Sequence, residues 1–392
     1  MTVTTEISAA EFAERRAKAT AAARARGLKG LLVCSRGGGS TDRYGDVMYL
    51  TNFYTAFPYI PDRAPDWTVR AHAFVLLPVD GAEALVADVA VKGDAHVPID
   101  DIVVAADMIE ALVAELKARG MAEGEVGIVG ADVLTWGAHQ ALTAELPALN
   151  LTDAGDILET LRMVKSPGEI ELLRHSSALG SRATDAMIEA AKPGVTHGDV
   201  MLAGLGVLVP AGGMLYNSFM SSGRGGANAA AVGGIFPTYG ADEPLSDGQW
   251  FHVGLSGVVG GYYFDHARSV SIGDPTPQQI EAYEAPIAAV QAGIAAIVPG
   301  AKASDVALAG RRALEACGFE LEGGFLGFGH GIGLGWDAPW LIPDDHTPLV
   351  PGMVLCVERS VRHNGYYGDF EETVLVTDTG VELLTDAVVR RW

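Results

Sequence analysis

Cysteine is scarce in this chain, with three thiols, Cys34, Cys317 and Cys356, in 392 residues. An odd number at wide spacing supports neither a disulfide framework nor a zinc knuckle, and it suits a reducing cytoplasm. Positive charge is also in deficit: 27 Lys and Arg stand against 49 Asp and Glu, a net charge of −22. Such a surface repels phosphate backbones and anionic membranes, which sets nucleic acid and membranes aside as partners. No uninterrupted apolar run reaches the roughly 18 residues of a membrane-spanning helix. The opening segment, MTVTTEISAAEF, has no basic region followed by an apolar stretch, so no secretory signal is expected and a cytoplasmic location is.

Apolar residues, by contrast, make up 49% of the chain and charged residues 19%. That balance describes an ordered globular protein, long enough for two or three domains at roughly 150 residues each. Glycine is abundant at 49 residues, without the fixed period or low-complexity tract of a collagen or solenoid. Turns and close backbone approaches account for it better.

The first half alternates α and β patterns. Residues 9–27 read as a capped helix, KGLLVCS as a buried strand and VMYLTNF as a further strand-like run. AHAFVLLPVDGAEALVAD reads as two strands joined at Asp80-Gly81, a strong hairpin dipeptide. DMIEALVAELKARG then repeats the helix pattern and EVGIVG the strand. Together these make an N-terminal α/β domain over 1–158. ETLRMVKSPGEI is a junction broken at Pro167-Gly168. The second domain, 159–392, has long helices at 169–191, 277–297 and 303–317. Between them lie β-runs near 214–222, 249–258, 261–273, 352–361 and 370–378. Strands that do not alternate strictly with helices predict an α+β domain with a curved, largely antiparallel sheet.

Three segments of the second domain place ionisable groups in strand-like apolar surroundings. GGYYFDHARSVSIG carries Asp265, GFGHGIGLGWDAPW carries His330 between glycines, and PGMVLCVERSV with GDFEETVLV carries Glu358 and Glu371. A carboxylate in a buried strand is costly unless paired, protonated or bound to a cation. Three carboxylates and an imidazole meeting at one point suit a divalent metal with oxygen and nitrogen ligands. Their separations of 65, 28 and 13 residues form no short ligand motif. Taken one at a time, an acid in a strand is more often solvent-facing, and a histidine after glycine more often a hydrogen-bonded loop residue.

The whole set of motifs resembles the pita-bread hydrolases: methionine aminopeptidase, proline dipeptidase, aminopeptidase P and creatinase. LRMVKSPGEIELLRHSSALG resembles that family's domain-entry segment. GYYFDHARSV, GHGIGL, PGMVLCVE and FEETVLVTDTG resemble its ligand-bearing strands in the family's order, and DVMYLTNF resembles a strand of its N-terminal domain. The resemblance implies a pita-bread C-terminal domain and a homodimer. It implies that Asp265, His330, Glu358 and Glu371 match the second through fifth of five metal ligands. The first ligand, an Asp, falls at position 254, where this chain has Gly254. Because that Asp serves only one of two metals, the four others can still surround a single divalent ion (Mn, Zn, Fe or Co), or stand metal-free as in creatinase. Arg268, in the family's Asp-x-x-Arg stretch, reads as a structural ion-pair partner.

Two further departures bear on substrate. The family's histidine ahead of the first Asp is missing near SSGRGGANAAAVGG, and its His-Glu pair before a proline is replaced by Trp336-Asp337. The expected activity is therefore hydrolysis of a C–N bond in a small molecule, with Glu358 and His330 as the catalytic groups, by an enzyme other than an ordinary Xaa-Pro peptidase. Glu358 is the proton shuttle from water to the leaving nitrogen. His252, Arg224, Trp336 and Asp337 are the candidate substrate contacts, and the glycine-rich loop around Arg224 can cradle a carboxylate through backbone N–H groups. Alternatives are β-elimination like that of dimethylsulfoniopropionate lyase, a dipeptidase or aminopeptidase, and a binding protein without catalysis.

Overall fold

The computed structural model describes residues 6–37, 41–55, 57–93, 95–222, 242–298, 300–319 and 327–390. The chain forms two compact units, one of Glu6–Arg162 and one running from Met163 onward. Among the described residues, no helix is long and apolar enough to cross a membrane.

In the first unit, Ser8 caps helix α1 (Ala9–Ala25) by accepting from the Glu11 amide. There follow β1 (Gly30–Arg36), α2 (Gly45–Thr51), β2 (His72–Pro78), β3 (Ala84–Ala87), β4 (Ile102–Val104), α3 (Met108–Ala118), β5 (Gly124–Val129), α4 (Trp136–Glu145) and β6 (Leu149–Asp153). Helix α5 (Gly155–Met163) ends the unit, and its first turns precede the junction expected from sequence. The six strands lie in the order β4-β3-β2-β1-β5-β6. Pairing is antiparallel for β1–β2 and β2–β3 and parallel for the other three contacts, giving a mixed α/β sheet.

One sequence expectation fails here. VMYLTNF, expected as a strand, lies largely in helix α2. Val47 and Leu50, spaced by one helical turn, are both fully buried. The Thr51 hydroxyl donates to the Val47 carbonyl, and Asn52, at φ 58°, ends the helix in the left-handed region. Short apolar runs of this kind look the same in strands and buried helices.

The second unit begins with α6 (Pro167–Ala190), opened by a capping box between Ser166 and Glu169. It continues through α7 (His197–Leu208), β7 (Gly213–Ser222), β8 (Trp250–Val259), β9 (Tyr262–Ser271), α8 (Pro277–Ala295) and α9 (Ala303–Ala316). Strands β10 (Gly329–Ile332), β11 (Trp336–Trp340), β12 (Val354–His363), β13 (Tyr366–Thr377) and β14 (Gly380–Leu383) complete it. The strand orders are β7-β8-β9 and β11-β10-β12-β13-β14, and every pairing within them is antiparallel. Ser269 of β9 joins the two sets by accepting from the Asp369 amide of β13 at 3.0 Å. This is the curved antiparallel sheet of the pita-bread fold.

Alternation along the strands decides what faces the interior of that sheet. Leu355, Val357, Phe370 and Val374 pack with Tyr283, Ile287 and Val290 of α8 and with Val306 and Leu314 of α9. Phe251, Val253, Leu255 and Phe264 pack with Leu179, Ala183 and Met187 of α6. The helices thus cover one face of each strand. The residues in between, among them His252, Gly254, Ser256, Asp265, Glu358, Asp369 and Glu371, share the opposite face.

Candidate active site

Asp265 on β9 lies directly across from Ser256 on β8. The Ser256 hydroxyl donates to Asp265 Oδ1 at 2.7 Å, and the His266 amide donates to the same oxygen at 3.0 Å. Burial pushes Asp265 above the ordinary carboxylate range, while His330, Ser256, the His266 amide and the Trp336 side chain pull it back.

His330 owes its position to its neighbours. Gly329 has φ +126°, and a Cβ there would run into the Cys356 carbonyl of β12. At Gly331 a Cβ would meet the Ala338 carbonyl of β11. Glycine is therefore required on both sides of the histidine for β10 to pass between its neighbours. His330 Nδ1 donates to the Gly331 carbonyl at 2.9 Å. Since a carbonyl only accepts, the neutral ring carries its lone pair on Nε2. Nε2 lies 3.9 Å from Asp265 Oδ2 and 3.7 Å from Glu358 Oε1.

Glu358 and Glu371 are cross-strand partners on β12 and β13. Burial, with the negative charges of Asp265, Glu358 and Asp369, drives Glu371 well above the ordinary carboxylate range. Burial, with Asp265 and Asp369, pushes Glu358 up to about 8. The Glu358 side chain is 30% exposed against 11% for Asp265 and 4% for His330, so Glu358 is the group an incoming molecule meets.

One ligand atom each from Asp265, His330 and Glu371 lies within 4.8 Å of the other two. Two carboxylate oxygens and an imidazole nitrogen form a donor set that suits a divalent transition metal. The buried Glu371 Oε1 has no hydrogen-bond partner among the described residues, and a cation is what such an atom lacks. A triad able to coordinate a divalent metal is therefore present. Glu358 stands beside it, with Oε1 3.7 Å from His330 Nε2.

Position 254 lies on the Asp265 face of the hairpin, two residue pairs along from Ser256 and Asp265. The glycine there leaves that place without a ligand, so the metal site is degenerate. His252, one step further along the same face, is buried and its Nε2 lies 3.1 Å from Asp369 Oδ2. The Tyr367 ring meets the His252 ring edge-on at 5.0 Å. Trp336 lies against the His330 ring, whereas Asp337 is buried beside Lys165, with Nζ 3.9 Å from Oδ2. Arg224 lies outside the described residues. Arg268 donates to Glu372 Oε1 at 2.9 Å and stacks on Phe370, on the face away from Asp265. Sequence reasoning missed Ser256, Asp369 and Trp340. Ser256 is legible only from the hairpin register, and Asp369 only from its spacing of two before Glu371.

This fold and this triad define a pita-bread hydrolase. Residues 171–378 match Metallopeptidase family M24 and residues 15–164 the Creatinase/Prolidase N-terminal domain. The chain belongs to family M24, and it is a hydrolase acting on a C–N bond. It is 27% identical to the ectoine hydrolase of Halomonas elongata, over 69% of this chain and 70% of that protein. It is 32% identical to a probable dipeptidase PepE of Mycobacterium tuberculosis, over 61% of this chain and 66% of that one. Among solved structures, PepE from Mycobacterium ulcerans superposes with a TM-score of 0.75 at 25% identity, covering 98% of this chain and 99% of the other. X-Pro aminopeptidase from Thermotoga maritima gives 0.78 at 17% identity, covering 96% and 99%, a likeness of fold alone.

Proposed function

We propose that this protein hydrolyses the C–N bond of a small molecule at a site built for one divalent ion, and that its substrate is other than an Xaa-Pro peptide. The observation that carries this reading is Gly254 on the Asp265 face: the Asp265, His330 and Glu371 donors converge, while the position that would serve a second ion has no side chain. The histidine missing from 221–234 and Trp336-Asp337 in place of a His-Glu pair support the departure from proline peptides. The likeness to an ectoine hydrolase supports a small substrate.

Asp265, His330 and Glu371 would hold the ion, which when bound supplies Lewis acidity and a water of lowered pKa. Glu358 accepts a proton from the attacking water and delivers it to the nitrogen as the C–N bond breaks. With its side chain 30% exposed, Glu358 is the acid of the site that water and substrate can reach. The Ser256 hydroxyl and the His266 amide hold Asp265 in place through Oδ1, leaving Oδ2 turned to His330. A homodimer is part of the proposal on family likeness. Cytoplasmic residence is part of it on the composition and the three free cysteines.

Metal analysis with kinetics of Glu358→Gln tests the reading. About one transition metal per chain, removable by chelator with loss of activity, is expected, and E358Q should lower kcat by roughly 100-fold or more with the fold intact. Full turnover in chelated protein, or in E358Q, overturns it.

A further inference from the structure

Trp336 and Trp340 stand at the two ends of β11 and are 44% and 39% exposed. Both rings lie against the His330 imidazole, with centroids 5.1 Å and 5.8 Å away, although His330 itself is only 3% exposed. Core packing does not account for two large indoles left half in solvent around one buried side chain. They form an aromatic rim to the candidate active site.

Within that rim the inner face carries Asp265, Glu358, Asp369 and Glu371. Asp369 is 9% exposed, and His252 lies against its Oδ2 while its buried Oδ1 has no partner among the described residues. Arg268 and Arg359, the arginines adjoining these acids in the strands, sit on the opposite face, although the charge of Arg359 still acts on Glu358 and Asp369. Arg268 reaches Glu372 and Phe370, and Arg359 reaches the Gly327 carbonyl and the Phe328 ring. One divalent ion on Asp265, His330 and Glu371 balances the charge of two carboxylates out of four. Glu358, 3.7 Å from His330 Nε2, and Asp369, whose buried Oδ1 has no partner among the described residues, are left in the site whose His330 ring both indoles flank. Rings and carboxylates in this combination select an organic cation.

The geometry points to a substrate that bears a positively charged nitrogen, an alkylated ammonium in chemical class, seated against Trp336 and Trp340 with its charge directed to Asp369 and Glu358. This rests on the hydrolase reading above and adds the class of molecule.

Calorimetric titration of the full chain with choline and with its neutral carbon isostere, tert-butylethanol, tests it. Choline should bind tighter by roughly tenfold, a margin within the range of a desolvated cation–aromatic contact. W336A and W340A should each remove most of that preference, W336F should keep part of it, and D369N should weaken choline without changing the isostere. Both tryptophans are partly exposed, so the alanine variants are expected to keep the parent's unfolding temperature; if W336A unfolds, W336F carries the comparison. Equal binding of the two probes, no binding of choline, or a preference untouched by the tryptophan variants overturns the inference. The readout is binding alone. Metal-dependent hydrolysis with no choline preference defeats this inference only, and choline preference without hydrolysis defeats only the reading it rests on.

Discussion

Glu358 of β12 lies directly opposite Glu371 of β13. Like charges facing each other across two strands destabilise a sheet, and burial deepens the cost. Such a pair persists where something positive joins it or where one member keeps its proton.

The first prediction concerns the metal-free protein. Glu358 loses its proton near the usual 4.5 in the unfolded chain but holds it to about 8 when folded. Asp265 and Glu371 shift in the same direction. Between those limits the folded state binds more protons than the unfolded one, so stability falls as pH rises. In chelator, E358Q should flatten this fall and be more stable than the parent at pH 9 by roughly 1 kcal/mol. Calorimetric unfolding at pH 6 and pH 9 checks it; a parent that gains stability across that window contradicts the raised pKa.

Position 254 gives the second prediction. Gly254→Asp places a carboxylate on the Asp265 face, two residue pairs from Ser256 and Asp265. Bound metal should rise from about one to about two ions per chain under saturation, with the second ion adding roughly 3 kcal/mol of stability at a hundredfold excess over its Kd. Elemental analysis and thermal unfolding measure both. An unchanged metal content would mean that the pocket cannot seat a second ion.

How much of this was legible beforehand varied with the physics involved. Strands β8, β9, β12 and β13 announce themselves because they are long and bounded by turn residues, and their acids stand out against apolar neighbours. Helix α2 did not, since seven residues with a buried stripe fit either period. Asp265, His330, Glu358 and Glu371 were readable as types of residue in the wrong surroundings. Ser256 was invisible because its role depends on which residue of β9 it faces, and register is a property of the folded hairpin. Asp369 matters through a contact with His252 that joins segments far apart in the chain, and Trp340 through its place against His330 on the neighbouring strand, which the register of β10 and β11 sets.

Ser256 gives the third prediction. Its hydroxyl donates to Asp265 Oδ1 at 2.7 Å and favours the carboxylate that a metal needs. Ser256→Ala should weaken metal binding about 10- to 100-fold, the usual cost of losing an outer hydrogen bond to a ligand. Competition against a chelator of known affinity measures it. The same variant should move the acidic limb of the pH–rate profile upward, because a hydrogen bond to the ionised form is lost. Unchanged metal affinity would confine Ser256 to packing.

The last prediction separates backbone from side chain at His330. Gly329 holds φ +126°, and a Cβ there would collide with the Cys356 carbonyl of β12. Gly329→Ala must either move β10 away from β12 or distort the turn into the strand, and a cost of roughly 2–4 kcal/mol follows from strain of that kind. Gly318 is the control, at φ +84° with nothing within 4 Å of the place a Cβ would take. Gly318→Ala costs only the backbone conformation, about 1 kcal/mol. Denaturant unfolding of the two variants should rank them in that order. Because Gly329 immediately precedes His330, its replacement should also lower metal affinity, whereas Gly318→Ala should leave affinity unchanged. If G329A binds metal like the parent, the close approach of β10 to β12 serves stability and has no part in holding the histidine.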